Sequence, residues 1–375
     1  MQEERAYWLA WSQVNRVGPV LLLRLQHHFG TLADAWKASA ADLQKVQGFG
    51  TQIVTAVMTA RAQINPEQLL EEHSKKNPYF WTLADADYPR LLKEIPNPPP
   101  VLYYRGLVEP KENLAIKPMI GIVGTRSPTE YGRHWTRKIS TTLAKHGLTV
   151  VSGMAKGIDT EAHRSCLEAG GRTIAVVGTG VDQVYPWENR TLYEQIQKQG
   201  LVVSEYCAGT QPNSNHFPQR NRIIAGLSRA ILIMEAPSKS GALITAYQAN
   251  EFCRDVYVLP GRLDDERSEG CLELINKGAQ IILKDERQLL ELLGEIPQLD
   301  AVEQLSLFPP EKTKPLPQLQ PELAQVLQVL SSESTSFDVI VQQVGMAAGS
   351  VSSALLQLEL LGLVSQLPGM QYRRC

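Results

Sequence analysis

Four short segments put glycine, hydroxyl side chains and Arg or Lys side by side: Gly121-Ile-Val-Gly-Thr-Arg126, Ser152-Gly-Met-Ala-Lys-Gly-Ile-Asp159, Phe217-Pro-Gln-Arg-Asn-Arg222 and Ser238-Lys-Ser-Gly-Ala-Leu-Ile-Thr245. Most fall where an apolar run ends and a helical pattern begins, the place where exposed backbone amides and the positive end of a helix attract anions. Four such turns together point to a polyanion rather than to a small metabolite.

Each turn offers different donors. Gly124 permits a close backbone turn, Pro128 suits the first turn of the following helix, and Arg126 adds a forked donor set for phosphate unless a carboxylate claims it. Ser152 and Gly153 offer a hydroxyl and an amide, and Lys156 adds a compact charge. Asp159 or Thr160 is placed to cap the next helix; capping accounts for Asp159 better than a metal pair with His163, and no metal site is expected. Arg220 and Arg222 near a helix start are electrostatically unfavourable unless an anion sits there. Phe217 beside them gives the combination that single-stranded nucleic acid uses, an aromatic face for bases and cations for the backbone. Lys239, Ser240, Gly241 and Thr245 again suit phosphate. Glu205 and Glu235 end strands, where neighbouring loop amides commonly hold such carboxylates. No G-x-x-x-x-G-K-[ST] loop, G-x-S-x-G elbow or dinucleotide fingerprint is present, so no catalytic residue and no cofactor are expected.

The elements that must position these turns follow from periodicity. Continuous apolar runs at Met119–Val123, Leu148–Val151, Thr173–Val177, Leu201–Ser204, Ala230–Glu235, Val256–Leu259 and Gln280–Leu283 read as parallel strands buried on both faces. Helical patterns at Glu130–His146, Glu161–Ala169, Gly241–Cys253 and Gly270–Asn276 alternate with them, giving an α/β, doubly wound, mostly parallel sheet. Ahead of it, helical stripes run from Tyr7 to Met58. The turns Arg16-Val-Gly-Pro19 and Val46-Gln-Gly-Phe-Gly50 are similar to those of a helix-hairpin-helix, or equally to tight turns in any small helical domain. Pro78 to Gly106 carries six prolines and reads as an extended connector. A Pro-rich linker follows the sheet. Helices at Glu322–Leu330, Phe337–Val344 and Ala348–Leu361 plus a terminal hairpin then have the layout of a winged helix. Its third helix, Ser350 to Leu361, has no Lys or Arg and carries Glu359, which argues against strong duplex binding and leaves a protein-contact role open. The expected division is 1–70 helical, 71–295 sheet-bearing, 296–320 linker and 321–375 winged helix.

The formal net charge of -2 over 375 residues rules out binding through a bulk basic field, so cations must be gathered locally. Five cysteines without a C-x-x-C pair fit a reducing compartment. Neither a signal peptide nor a run of about 18 apolar residues is evident. A cytoplasmic protein without membrane contact is expected.

Gly124-Thr-Arg126, Ser152 to Asp159 with His163, Ala175-Val-Val-Gly-Thr-Gly180 with Tyr185-Pro186, Phe217 to Gly226 and Ser240 to Thr245, in this order, resemble the DNA-processing protein A family, also called Smf. The resemblance covers roughly Tyr79 to Leu283, and more loosely the flanking domains. It implies an extended Rossmann-like domain, flanked by a helical domain of SAM or helix-hairpin-helix type and a winged helix. It also implies a non-enzymatic role in natural transformation and recombination: binding and protecting incoming single-stranded DNA, loading the RecA recombinase, and homodimerising. By motif position it places Arg126, Lys156, Phe217, Arg220, Asn221, Arg222, Ser240 and Gly241 in the DNA pocket. An enzyme reading, by similarity to Lonely-Guy-type phosphoribohydrolases, lacks their catalytic Glu in Ser240 to Thr245, and the next acid is Glu251. A duplex-binding regulator working through the terminal domains is the third reading.

Overall fold

The computed structural model describes residues 2–282, 286–294, 320–331, 334–361, 363–367 and 369–374. They fall into two compact units, one within Met1–Ala301 and one within Val302–Cys375.

The first unit begins with six helices: α1 (Gln2–Ser12), α2 (Pro19–Phe29), α3 (Leu32–Lys37), α4 (Ala40–Gln44), α5 (Thr51–Gln63) and α6 (Pro66–Lys76). Gly18 and Gly50 stand at the N-caps of α2 and α5, where the two expected tight turns fall. Helix α6 buries no residue and has no apolar stripe to reveal it; Asn65 accepting from the amides of Glu67 and Gln68, with Pro66 behind it, starts the helix. Trp8, Trp11, Leu22, Leu25 and Val57 belong to one hydrophobic cluster that continues into the sheet through Trp81, Leu102 and Val203.

Between Pro78 and Gly106 the expected connector is instead partly sheet. β1 (Phe80–Thr82) and, after the short α7 (Arg90–Lys93), β2 (Val101–Gly106) form an antiparallel pair, and β2 pairs antiparallel with the sixth strand. The prolines at 96 and 98–100 lie between the strands rather than in them, leaving Val101-Leu-Tyr-Tyr104 free to join the ladder.

The alternating region runs α8 (Pro110–Asn113), β3 (Met119–Val123), α9 (Glu130–Lys145), β4 (Thr149–Ser152), α10 (Ile158–Glu168), β5 (Thr173–Val176), α11 (Arg190–Gln199), β6 (Leu201–Ser204), α12 (His216–Leu227), β7 (Ala230–Ile233), α13 (Gly241–Glu251), β8 (Asp255–Val258), α14 (Glu269–Asn276), β9 (Gln280–Ile281) and α15 (Glu286–Gly294). Among the described residues these strands form a nine-stranded sheet in the order β1-β2-β6-β5-β4-β3-β7-β8-β9, parallel from β6 to β9. Alternate residues face opposite layers. Val123, Val151 and Ile233 pack with Ile223, Ile224 and Leu243 of α12 and α13; Ile122, Val150 and Leu232 pack with Ile139 and Leu143 of α9 and Ile158 and Ala162 of α10. The chain fills one side from β3 out to β6, then returns to lay β7 against the other edge of β3. That reversal opens a crevice at the carboxyl ends of β3 and β7.

The second unit has α16 (Pro321–Val329), β10 (Thr335–Ser336), α17 (Phe337–Val344), α18 (Ala348–Leu360), β11 (Val364–Leu367) and β12 (Gln371–Arg374). The short β10 adds an unexpected third strand, pairing with β12. Val326, Ile340, Val351, Leu355, Leu358 and Tyr372 form its core, so three helices on a small sheet give a winged helix. The expected linker at 296–320 lies outside the described residues except for Gln320. Among the described residues, no single helix is long and apolar enough to cross a membrane.

Candidate nucleic-acid interface

A cleft of about 590 Å³ occupies the crevice above β3 and β7. Gly124, Thr125 and Arg126 come to it from the turn after β3, Ala155 and Asp159 from the turn after β4, and Tyr185 from the loop after β5. Phe217, Arg220, Asn221 and Ile224 reach it from α12; Ser240, Gly241, Ile244 and Thr245 reach it from the start of α13.

The turn after β3 is built for close approach. A Cβ on Gly124 would lie 2.6 Å from Ile158 Cγ1 and 2.9 Å from the carbonyl of Glu235, so no other residue fits. Thr129 caps α9 by accepting from the amide of Gly132 at 3.0 Å, so Pro128 precedes the cap instead of entering the first turn. Glu235 is buried and accepts from the Thr129 amide at 3.0 Å and its hydroxyl at 2.8 Å, which makes it a structural anchor for this helix start. Arg126 is exposed, has no carboxylate partner among the described residues, and holds its guanidinium 5.8 Å from the centroid of the Phe217 ring. Phe217 is stacked in turn on Tyr185, with centroids 5.4 Å apart and planes 26° from parallel.

The turn after β4 uses its donors internally. Ser152 Oγ donates to the carbonyl of Ile122 at 2.6 Å, and the amides of Gly153 and Ala155 both donate to Asp159 Oδ2 at 3.2 Å. The expected phosphate donors Ser152 and Gly153 are therefore already satisfied. Asp159 does not cap α10 either, because the helix opens at Ile158 behind Gly157 and Asp159 instead reaches back across its own turn. Lys156 is exposed and ion-paired with Glu188 at 2.5 Å, outside the cleft wall.

Arg220 lines the cleft but is buried. Its Nη1 donates to the carbonyls of Gly153 and Val176, and its Nε to Asn221 Oδ1 at 3.2 Å. A Cβ on Gly153 would sit 2.6 Å from that guanidinium, the local reason for glycine there. Burial brings the Arg220 group down to about 10, Asp159 opposing and Arg126 adding to the shift. Burial likewise raises the Asp159 carboxyl, with Arg220 and the Ala155 and Gly153 amides pulling it back. Arg220 is thus a fixed positive charge beneath the cleft rather than a free fork. Arg222 leaves the site altogether: its Nη1 and Nη2 donate to both oxygens of Glu205 at 2.8 and 2.7 Å, and its Nε to the carbonyl of Asn97 at 3.1 Å. Position 222 faces away from position 220, and the carboxylate ending β6 waits there, so both Arg222 and Glu205 are structural.

Asn221 Nδ2 donates to the carbonyl of Gly241 at 3.1 Å, tying α12 to the start of α13. Ser240 caps α13 by accepting from the Ala242 amide at 3.2 Å. Thr245 lines the cleft wall and is buried, its hydroxyl without a hydrogen-bond partner. Lys239 is exposed and stands outside the cleft wall. Tyr185 is the residue that site reasoning passed over; its signal was an aromatic side chain in the loop that follows the Gly178-Thr-Gly180 turn. Glu251 closes α13 and takes no part in the cleft. Among the described residues, no group of three or more His, Cys, Asp or Glu is placed to hold a metal ion.

Comparison with known proteins agrees with this architecture. Residues 79–294 match the family described as DNA recombination-mediator protein A, and residues 310–370 match the DprA winged helix domain. Protein Smf of Synechocystis sp. is 52% identical, over 99% of this chain and 99% of its own. The crystal structure of DNA processing protein A from Streptococcus pneumoniae superimposes with a TM-score of 0.65 at 35% identity, covering 76% of this chain and 95% of that one. The Helicobacter pylori protein, whose structure was described for its single-stranded DNA binding mode, gives 0.51 at 32% identity over 58% and 97%. A family match over the whole alternating region and a relative similar from end to end lead to one conclusion: the chain belongs to the DNA recombination-mediator protein A (DprA/Smf) family.

Proposed function

We propose that this chain binds single-stranded DNA in the cleft above β3 and β7, and acts as a recombination mediator that shields the strand and hands it to the RecA recombinase. The observation that carries the reading is the free Arg126 guanidinium set over Phe217, itself stacked on Tyr185, in a cleft that Arg220 also lines. Phosphates take the Arg126 guanidinium and the Gly241 amide at the start of α13, while bases take the aromatic faces; Arg220 adds a fixed charge that needs no reorganisation on binding. Recognition of this kind is tolerant of sequence and sensitive to salt. The description of the matched family, DNA recombination-mediator protein A, supports a mediator rather than an enzyme. Homodimerisation and a cytoplasmic location belong to the same proposal, by analogy with the family.

Fluorescence anisotropy of labelled oligo-dT against a duplex of equal length, at two salt concentrations, tests it. Single-strand preference that weakens with salt and with Arg126→Ala is the expected result. Equal or absent binding to both would overturn the reading.

A further inference from the structure

Of the six tryptophans in the chain, Trp187 alone is largely in water. Trp8 and Trp11 are fully buried, Trp36 and Trp81 nearly so, and Trp135 is half-buried, whereas Trp187 is 66% exposed. A large aromatic held in solvent needs a reason other than packing. The segment that holds it is anchored. Asn189, buried at the end of the same short 3-10 turn, donates from Nδ2 to the carbonyl of Met154 at 3.0 Å and to Thr160 Oγ1 at 2.8 Å, fixing Trp187–Asn189 against the turn after β4. Arg190 lies over the Trp187 ring, 5.0 Å from its centroid. Two residues back, Tyr185 is the rim of the cleft, 43% exposed and stacked on Phe217. Two residues span at most about 7 Å of chain, which keeps the backbone of Trp187 close to the rim that Tyr185 forms.

We propose that Trp187, backed by Arg190, is a second base-stacking platform for the same single strand, one step outside the cleft beyond Tyr185. The inference rests on the proposed binding of single-stranded DNA. A stacking role fits the residue types: the indole offers the largest π face, and the Arg190 guanidinium behind it makes a ring contact and is otherwise held by an exposed ion pair with Glu194 at 3.1 Å, which a phosphate can displace. A protein partner fits less well, because the exposed residues that follow Trp187, Glu188 and Arg190, are charged and Glu188 is paired with Lys156. Lys156 lies beside the same route and is held only by an exposed ion pair, which a phosphate can displace.

The test uses the full chain with oligo-dT of about 6 and about 20 nucleotides, a pair that brackets the common span of a single-strand site. Intrinsic tryptophan fluorescence and anisotropy are read for wild type, Trp187→Ala and Trp187→Phe. The long oligomer should quench wild-type fluorescence, and Trp187→Ala should remove that quenching and weaken the long oligomer about tenfold, leaving the short one nearly unchanged. Trp187→Phe should restore most of the affinity. Equal affinity of wild type and Trp187→Ala for the long oligomer would overturn the platform while leaving the cleft intact. Failure of wild type to bind either oligomer would remove the cleft reading and the platform together.

Discussion

The turns after β3 and β4 look alike in sequence, each a glycine-bearing stretch with one cation, yet they differ in what they leave free. Gly124-Thr-Arg126 ends in a guanidinium without a carboxylate partner, set over an aromatic ring. Ser152 to Asp159 spends its hydroxyl on Ile122, its amides on Asp159 and its lysine on Glu188. The first turn is available to a ligand; the second is a brace that shapes the cleft wall from behind. Arg220 and Arg222 repeat the contrast within one helix, a charge fixed under the cleft against a charge neutralised by Glu205. A cation counts toward binding only when its own fold has not already satisfied it, because an internal acceptor at hydrogen-bond distance is always present whereas a ligand must compete for it.

The comparison is broken most forcefully on the structural side. Arg222→Ala removes a buried guanidinium and leaves the half-buried Glu205 without its cation, and losing hydrogen bonds to a charged group in this way costs about 1.5–3 kcal/mol. A chemical denaturation curve should show that destabilisation, while protein still folded keeps its DNA affinity; a stable variant with lost affinity would return Arg222 to the binding site. Next in size, Arg126→Ala should lower single-strand affinity at least tenfold and reduce the slope of log affinity against log salt by about 0.7, the share of one phosphate contact. An unchanged slope would mean that Arg126 meets no phosphate.

Phe217→Ala should cost about tenfold in affinity with the salt slope preserved, since stacking is not electrostatic. A change in slope would sink the division of labour between ring and guanidinium. The smallest effect is expected from Glu188→Gln, which frees Lys156 and removes a negative charge near the strand. An exposed ion pair contributes little, so a gain of about twofold is the expectation. Titration at low salt would show it, and weakened binding would mean that Glu188 orders Lys156 rather than competing for it.

Much of this was legible in the linear chain. The parallel strands announce themselves as continuous apolar runs because both faces of β3 to β7 are covered, the exposed edge strand β9 excepted, and the winged helix by three apolar stripes with a hairpin behind them. The pair β1 and β2 was hidden by the prolines around it, since proline density reads as a connector unless the residues between and after are known to find a ladder. Helix α6 was hidden for the opposite reason: its two half-buried leucines, Leu69 and Leu70, are too few to make a period. In the site, residue types identified Arg126, Phe217 and Ser240 to Thr245, while Tyr185 needed a ring partner 32 positions away before it mattered.

Hydrophobic period and turn chemistry are local properties, so the alternating strands and helices from β3 onward, their order and the turns that face the carboxyl edge of the sheet can be read from the residues alone. Which cations remain free was decided only by the tertiary structure. Strand order brings β7 beside β3 and so opens the cleft between them, and packing delivers Glu205 to Arg222 and the carbonyls of Gly153 and Val176 to Arg220. Hydrogen bonding is short-ranged and directional, so the same arginine is a ligand or a brace according to what the fold places within about 3 Å of it.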